Sequence, residues 1–176
     1  SESSNSINID SVIPTISRVV VSGQSGIRNN FLNAGDNVSV TVTFSEAVNV
    51  DNATITLVVG SDNRTATYVS AGDNSTEQVF RYTILAGDND SNGISIGADA
   101  LDNNGGTIRD PAHNNAILTH DVVDNNSSYK VDTTPPRVDN FTMSDTELKI
   151  GDNATVTLVL SVAVIEFSNA DITVPN

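Results

Sequence analysis

Val38, Val40, Val42 and Phe44 alternate with Ser39, Thr41 and Thr43. Successive side chains of a strand point to opposite faces, so this spacing predicts a strand with one dry face and one wet face. Gly35-Asp36-Asn37 immediately before it is a turn signal, because glycine tolerates positive φ and the Asp and Asn side chains can bond nearby backbone. Similar runs recur at short spacing. Residues 16–21 form a β-branched run bounded by Pro14 and Gly23, and residues 53–59 and 64–69 follow. In residues 78–84, Phe80, Tyr82 and Ile84 alternate with Arg81 and Thr83. Residues 94–96 and 128–131 are shorter candidates, and 116–118 reads as either a strand or part of a loop. Ser22-Gly23-Gln24-Ser25-Gly26 and Asn103-Asn104-Gly105-Gly106 break the pattern. Seven or eight short strands with no helical period predict an all-β fold, an antiparallel sandwich of two sheets.

The pattern then repeats. Gly151-Asp152-Asn153-Ala154-Thr155-Val156-Thr157 matches Gly35-Asp36-Asn37-Val38-Ser39-Val40-Thr41, a shift of 151 − 35 = 116 residues. Asn169-Ala170-Asp171-Ile172-Thr173-Val174 resembles Asn52-Ala53-Thr54-Ile55-Thr56-Leu57. Between the copies lies Tyr129-Lys130-Val131-Asp132-Thr133-Thr134-Pro135-Pro136, whose prolines fix φ and withdraw backbone donors. The expected organisation is a polar lead at 1–11, a complete sandwich at 12–132, and the first strands of a second sandwich at 133–176. Three strands alone would expose an edge and an apolar face, so the second unit is expected to be completed by further residues or by strands of another chain.

Charge narrows the partners. The 176 residues carry a net charge of −14, with only eight Lys and Arg, which offers no footprint for nucleic acid or an anionic bilayer. No apolar run reaches the roughly 18 residues of a membrane span, so membrane insertion is not expected. The absence of cysteine excludes disulfides and thiolate chemistry. His113 and His120 are the only histidines and lie in no nucleophile motif, so no catalytic site is expected.

Ser45-Glu46-Ala47-Val48, residues 86–96, Gly106-Thr107-Ile108-Arg109-Asp110-Pro111-Ala112-His113-Asn114 and Val131-Asp132-Thr133-Thr134-Pro135-Pro136 together resemble bacterial immunoglobulin-like repeats of large RTX and biofilm-associated surface adhesins. His113 stands where that family usually has glycine. The resemblance implies a non-catalytic extender, or stalk, outside the bacterial cell. Its partners would be neighbouring repeats of the same polypeptide, with host or abiotic surfaces reached through other domains. It also implies structural Ca²⁺ at interdomain joints. The alternative is a module that itself binds glycan or a host protein; exposed aromatics in the 102–115 loop would favour it, and that loop has none.

One stretch has a cation-binding pattern of its own. Asp88, Asp90 and Asn92 place oxygens at alternate positions before Gly93, as in an EF-hand-like loop, with Asp99 at the twelfth position. A polar turn needing no ion is the other reading of the same residues. If residues 116–118 belong to a loop and do not cross the sandwich as a strand, strand parity puts this loop at the pole where the chain leaves the sandwich. The expected joint site is therefore Asp88, Asp90, Asn92 and Asp132, joined by the loop around Glu166. Asp10, Glu46, Asp51 and Asp110 are expected at the opposite pole, with Asp10, Glu46 and Asp110 as a weaker second metal site.

Overall fold

The computed structural model describes residues 9–69, 74–165 and 167–172. The chain divides into two compact units, Ser1–Thr133 and Thr134–Asn176.

The first unit is all-β. Its strands are β1 (Ile16–Ser25), β2 (Phe31–Leu32), β3 (Asn37–Asp51), β4 (Thr54–Val59), β5 (Asp62–Tyr68), β6 (Ser75–Thr83), β7 (Asn89–Asp90), β8 (Leu101–Asp102), β9 (Thr107–Arg109) and β10 (Lys130–Asp132). One curled sheet runs β1-β3-β6-β5-β4-β8, with β9 also paired to β3, and a smaller sheet runs β2-β10-β7. Among the described strands of this unit, all pair antiparallel except β10 with β2, where Lys130 lies opposite Phe31 and Val131 opposite Leu32. Lys130 Nζ sits 5.5 Å from the centre of the Phe31 ring, a cation–π contact on this parallel pair.

Alternation decides the core. Val38, Val40, Val42 and Phe44 are all buried, as are Phe80, Tyr82 and Ile84 from the run paired against them. Strand β3 is long because it serves two pairings. Its first half pairs with β1 and β6, and its last three residues pair with β9 after a register shift between Thr43 and Val48. Buried Gln78 stitches that shift: its Nε2 donates to Val48 O and Ser75 O, and its Oε1 accepts from Tyr68 Oη at 2.8 Å. Both ends of this buried amide are satisfied, so it fastens the bend rather than weakening the core.

Several expectations are corrected. Residues 22–25 do not break β1, which continues through Ser25 by a bulge between Ser22 and Gln24, with Gly23 at φ +38°. Residues 94–96 make isolated bridges, Ser95 to Val58 and Ile96 to Val123, although Ile94 and Ile96 are fully buried. Of the two readings of residues 116–118 the loop holds, with Ile117 making one parallel bridge to Thr15.

The second unit shows two strands among its described residues, β11 (Val138–Met143) and β12 (Val156–Leu160), paired antiparallel. The stretch expected to form a third strand begins with a 3-10 turn at Asn169–Asp171, and residues 173–176 lie outside the described residues. Phe141 is 57% exposed, since two strands cannot cover both faces of their own ribbon.

Candidate metal centre

At the exit of the first unit β7 pairs with β10, with Asp90 opposite Val131 and Asn89 opposite Asp132, so the backbone brings these segments together, but among the described residues the carboxylates of Asp88, Asp90 and Asp132 do not converge as a ligand set. The carboxylates there are already used by the protein. Asp88 is buried; its Oδ1 accepts from Arg64 Nε at 2.7 Å, and its Oδ2 accepts from Tyr82 Oη at 2.6 Å and Leu85 N at 2.9 Å. Burial works to raise the Asp88 pKa, but these donors outweigh it and hold the group below the ordinary carboxylate range. Burial, then the Asp88 hydrogen bond, pushes the Tyr82 phenol up to about 12. Arg64 also reaches Asp62 at 3.0 Å, so a guanidinium fills the position a bound cation would need at Asp88.

Asp90 is buried as well. Its Oδ2 accepts from Gly60 N at 2.9 Å, and its Oδ1 from Asn92 N at 3.1 Å and Gly93 N at 2.7 Å. This is an Asx-type turn shaping the loop from inside. Asn92 is exposed, and Asp99 turns to His120, accepting from its backbone N at 2.8 Å. Glu166 lies outside the described residues. The exit itself is clamped. Thr133 Oγ1 accepts from Gly87 N and donates to Asp88 O, both at 2.9 Å, while Thr133 N donates to Asn89 Oδ1 at 3.3 Å.

A different arrangement forms around Asp10, Glu46 and Asp110, whose carboxylate oxygens lie within 4.8 Å of one another. Local pairing brings them together. Ser45 N donates to Thr15 O and Thr15 N to Ser45 Oγ, which sets the lead-in segment against β3. Asn114 Nδ2 reaches both Asp10 O at 3.2 Å and Asp110 Oδ2 at 2.7 Å. Asn114 N donates to Asp110 Oδ1 at 2.7 Å, closing a turn in which His113 takes φ +72°, a backbone conformation suited to glycine. Asp51 is not part of this group; it pairs with Thr107 across β3 and β9.

The three carboxylates are unequal. Asp110 is buried, and burial works to raise its pKa, but the Asn114 and backbone donors hold it below the ordinary range. Glu46 has no such help: its Oε1 is buried without a hydrogen-bond partner among the described residues. Burial first, and then the charges of Asp10 and Asp110, push its carboxyl above the ordinary range. An orphaned carboxylate oxygen beside two further carboxylates is a hard, all-oxygen donor set, which fits Ca²⁺ better than a transition metal.

Sequence reasoning placed Asp10, Glu46 and Asp110 at one pole but ranked them below the Asp88 loop. The ranking could not include Arg64, because the strand register that delivers its side chain to Asp88 is invisible in the linear sequence. Among the described residues no helix is long and apolar enough to cross a membrane. No curated protein and no solved structure matches the chain significantly. Residues 132–176 do match the model of a family described as bacterial Ig-like domain, so over that stretch the chain is similar to a bacterial Ig-like domain.

Proposed function

We propose that this chain is a non-catalytic extender segment of a large bacterial cell-surface adhesin, with Ca²⁺ held by Asp10, Glu46 and Asp110 to stiffen the approach to the first sandwich. The stalk reading draws on the all-β fold, the internal repeat across 116 residues (151 − 35), and the bacterial Ig-like match at 132–176. Tandem sandwiches suit a spacer, since each domain adds length without requiring a binding surface of its own.

The cation reading rests on one observation: Glu46 Oε1 is buried with no donor facing it among the described residues. Three close carboxylates repel one another until a positive charge neutralises them. Ca²⁺ takes 6–8 oxygens, of which these side chains would supply part and water or backbone oxygen the rest. Because Asp10 precedes the first strand while Glu46 lies in β3 and Asp110 follows β9, an ion there would pin the incoming chain to the sandwich. Extracellular calcium modules bind at roughly 10⁻⁴ to 10⁻³ M, so ligand at about ten times Kd adds only about 1.4 kcal/mol. The consequence would be for the shape of an array more than for folding.

Thermal unfolding of the full chain in Ca²⁺ and in chelator tests the reading. A Ca²⁺-dependent rise in Tm in the parent that disappears in Glu46→Gln is expected. No shift in the parent, or an equal shift in the variant, would refute it.

A further inference from the structure

The chain contains two Asn-Gly pairs, Asn92-Gly93 and Asn104-Gly105, and the fold treats them oppositely. In this dipeptide the backbone nitrogen of glycine can attack the preceding side-chain amide, since no glycine side chain shields the approach. Gly93 is buried, its N–H donates to Asp90 Oδ1 at 2.7 Å, and a Cβ built there would lie 2.0 Å from Asn126 O. Its nitrogen is held, screened, and set beside a carboxylate that opposes loss of the amide proton. Gly105 is exposed at φ +75°, its N–H has no hydrogen-bond partner among the described residues, and a Cβ there would meet open space.

We propose that Asn104 is a site of spontaneous covalent modification, deamidating to aspartyl and isoaspartyl forms with water as the only co-reactant. Hydroxide removes the Gly105 amide proton, and the nitrogen attacks Asn104 Cγ. The N–Cγ bond forms, the Cγ–Nδ2 bond breaks, and the leaving nitrogen takes up a proton and departs as ammonia. Water then adds to either carbonyl of the cyclic imide, and ring opening leaves a carboxylate at position 104 on a normal or a lengthened backbone. No electron transfer is involved. The turn is held by Gly106 N donating to Asn103 O at 2.7 Å, so only a local opening of an exposed loop separates the resting geometry from attack.

The position gives the reaction a structural consequence. Asn52 Nδ2 donates to Asn104 O at 2.9 Å and Asn104 Nδ2 to Asn52 Oδ1 at 3.4 Å, latching the β3–β4 turn to the β8–β9 turn. Gly106 packs so close to the same turn that a Cβ would lie 1.9 Å from Asp51 O. Deamidation replaces the Asn104 donor with a carboxylate that faces Asn52 Oδ1 and joins Asp102, whose Oδ1 already accepts from Asn104 N. The lengthened form also adds a backbone methylene where the two turns touch. Both changes loosen the latch.

The test is peptide mapping by mass spectrometry of the folded full chain and of the same chain in urea, both held in mildly alkaline buffer. In the folded chain Asn104 should convert at least about ten-fold faster than Asn92, and in urea the two should convert at similar rates. Isoaspartyl methyltransferase labelling confined to the Asn104 peptide would add support. Equal rates in the folded chain, faster reaction at Asn92, or an intact Asn104 over a period that converts it in urea would each overturn the proposal.

Discussion

Arg64 Nε lies 2.7 Å from Asp88 Oδ1, and the Asp88 side chain is fully shielded from solvent while Arg64 is about a third exposed. The pair neutralises the buried Asp88 carboxylate from within the first unit. Asp88 anchors Tyr82 and Leu85 on its other oxygen, so the ion pair is the centre of a network joining β5, β6 and the loop that follows β6.

Arg64→Ala should therefore destabilise the first unit by about 2 kcal/mol, because it leaves a buried carboxylate short of its charged donor; partial exposure of the arginine keeps the loss below that of a fully buried pair. Urea unfolding midpoints check this. A double-mutant cycle with Asp88→Asn should return a coupling of the same sign, and additive losses would mean the pair is not the source.

Acid stability follows from the same carboxylate. The folded pKa of Asp88 is depressed, so its contribution is fully present above the ordinary aspartate value and is lost as pH falls through the depressed folded one. The free energy of unfolding should decline on that acid limb, and Asp88→Asn should flatten it. Glu46 has the opposite sign: its folded pKa is raised, so in chelator its contribution is greatest below the ordinary glutamate value and falls as pH rises through the raised one. At neutral pH without Ca²⁺, Glu46→Gln should raise Tm.

Thr133→Val keeps the shape of the side chain and removes the hydroxyl that links Gly87 N to Asp88 O. A loss of about 1 kcal/mol is expected, with faster hydrogen exchange at Gly87 as the local signature. Unchanged exchange there would mean that the clamp contributes nothing to ordering the exit.

In the second unit Phe141, Ile150, Val156 and Val159 are all exposed. The full chain should bind a hydrophobic dye under native conditions. Phe141→Ser should reduce that binding while shifting the main unfolding transition by less than about 0.5 kcal/mol, as is usual for exposed positions. A parent chain that binds no dye would show that these side chains are covered in solution.

The legible parts of the fold were those governed by one-sided burial. Val38 to Phe44 alternates because one face meets a core, and that signal survives in the linear sequence. The paired segments Phe31–Leu32, Asn89–Asp90, Leu101–Asp102 and Thr107–Arg109 span two or three residues each, too few to show a period; long-range pairing makes them strands. Ile94 and Ile96 carry the apolar alternation of a strand because they are buried, yet the backbone there makes isolated bridges at Ser95 and Ile96 and no ladder. At the poles, strand parity was enough to bring Asp90 beside the exit strand. It could not reveal that Arg64, Tyr82 and backbone donors had taken the carboxylates there, or that Glu46 Oε1 has no donor among the described residues.

The ten residues of β1 run from the side of the sandwich near Asp10 to the side where Ser25 meets Asn37 and Asn37 meets Thr83, about 30 Å at strand rise. The chain thus enters the first unit at one end of its strands and leaves, at Thr133, near the other. Tension between these ends pulls along the strands, and β10 is held to β2 in parallel. The short parallel pairing of Lys130 with Phe31 and Val131 with Leu32 would take such a load in shear, across its hydrogen bonds rather than along them.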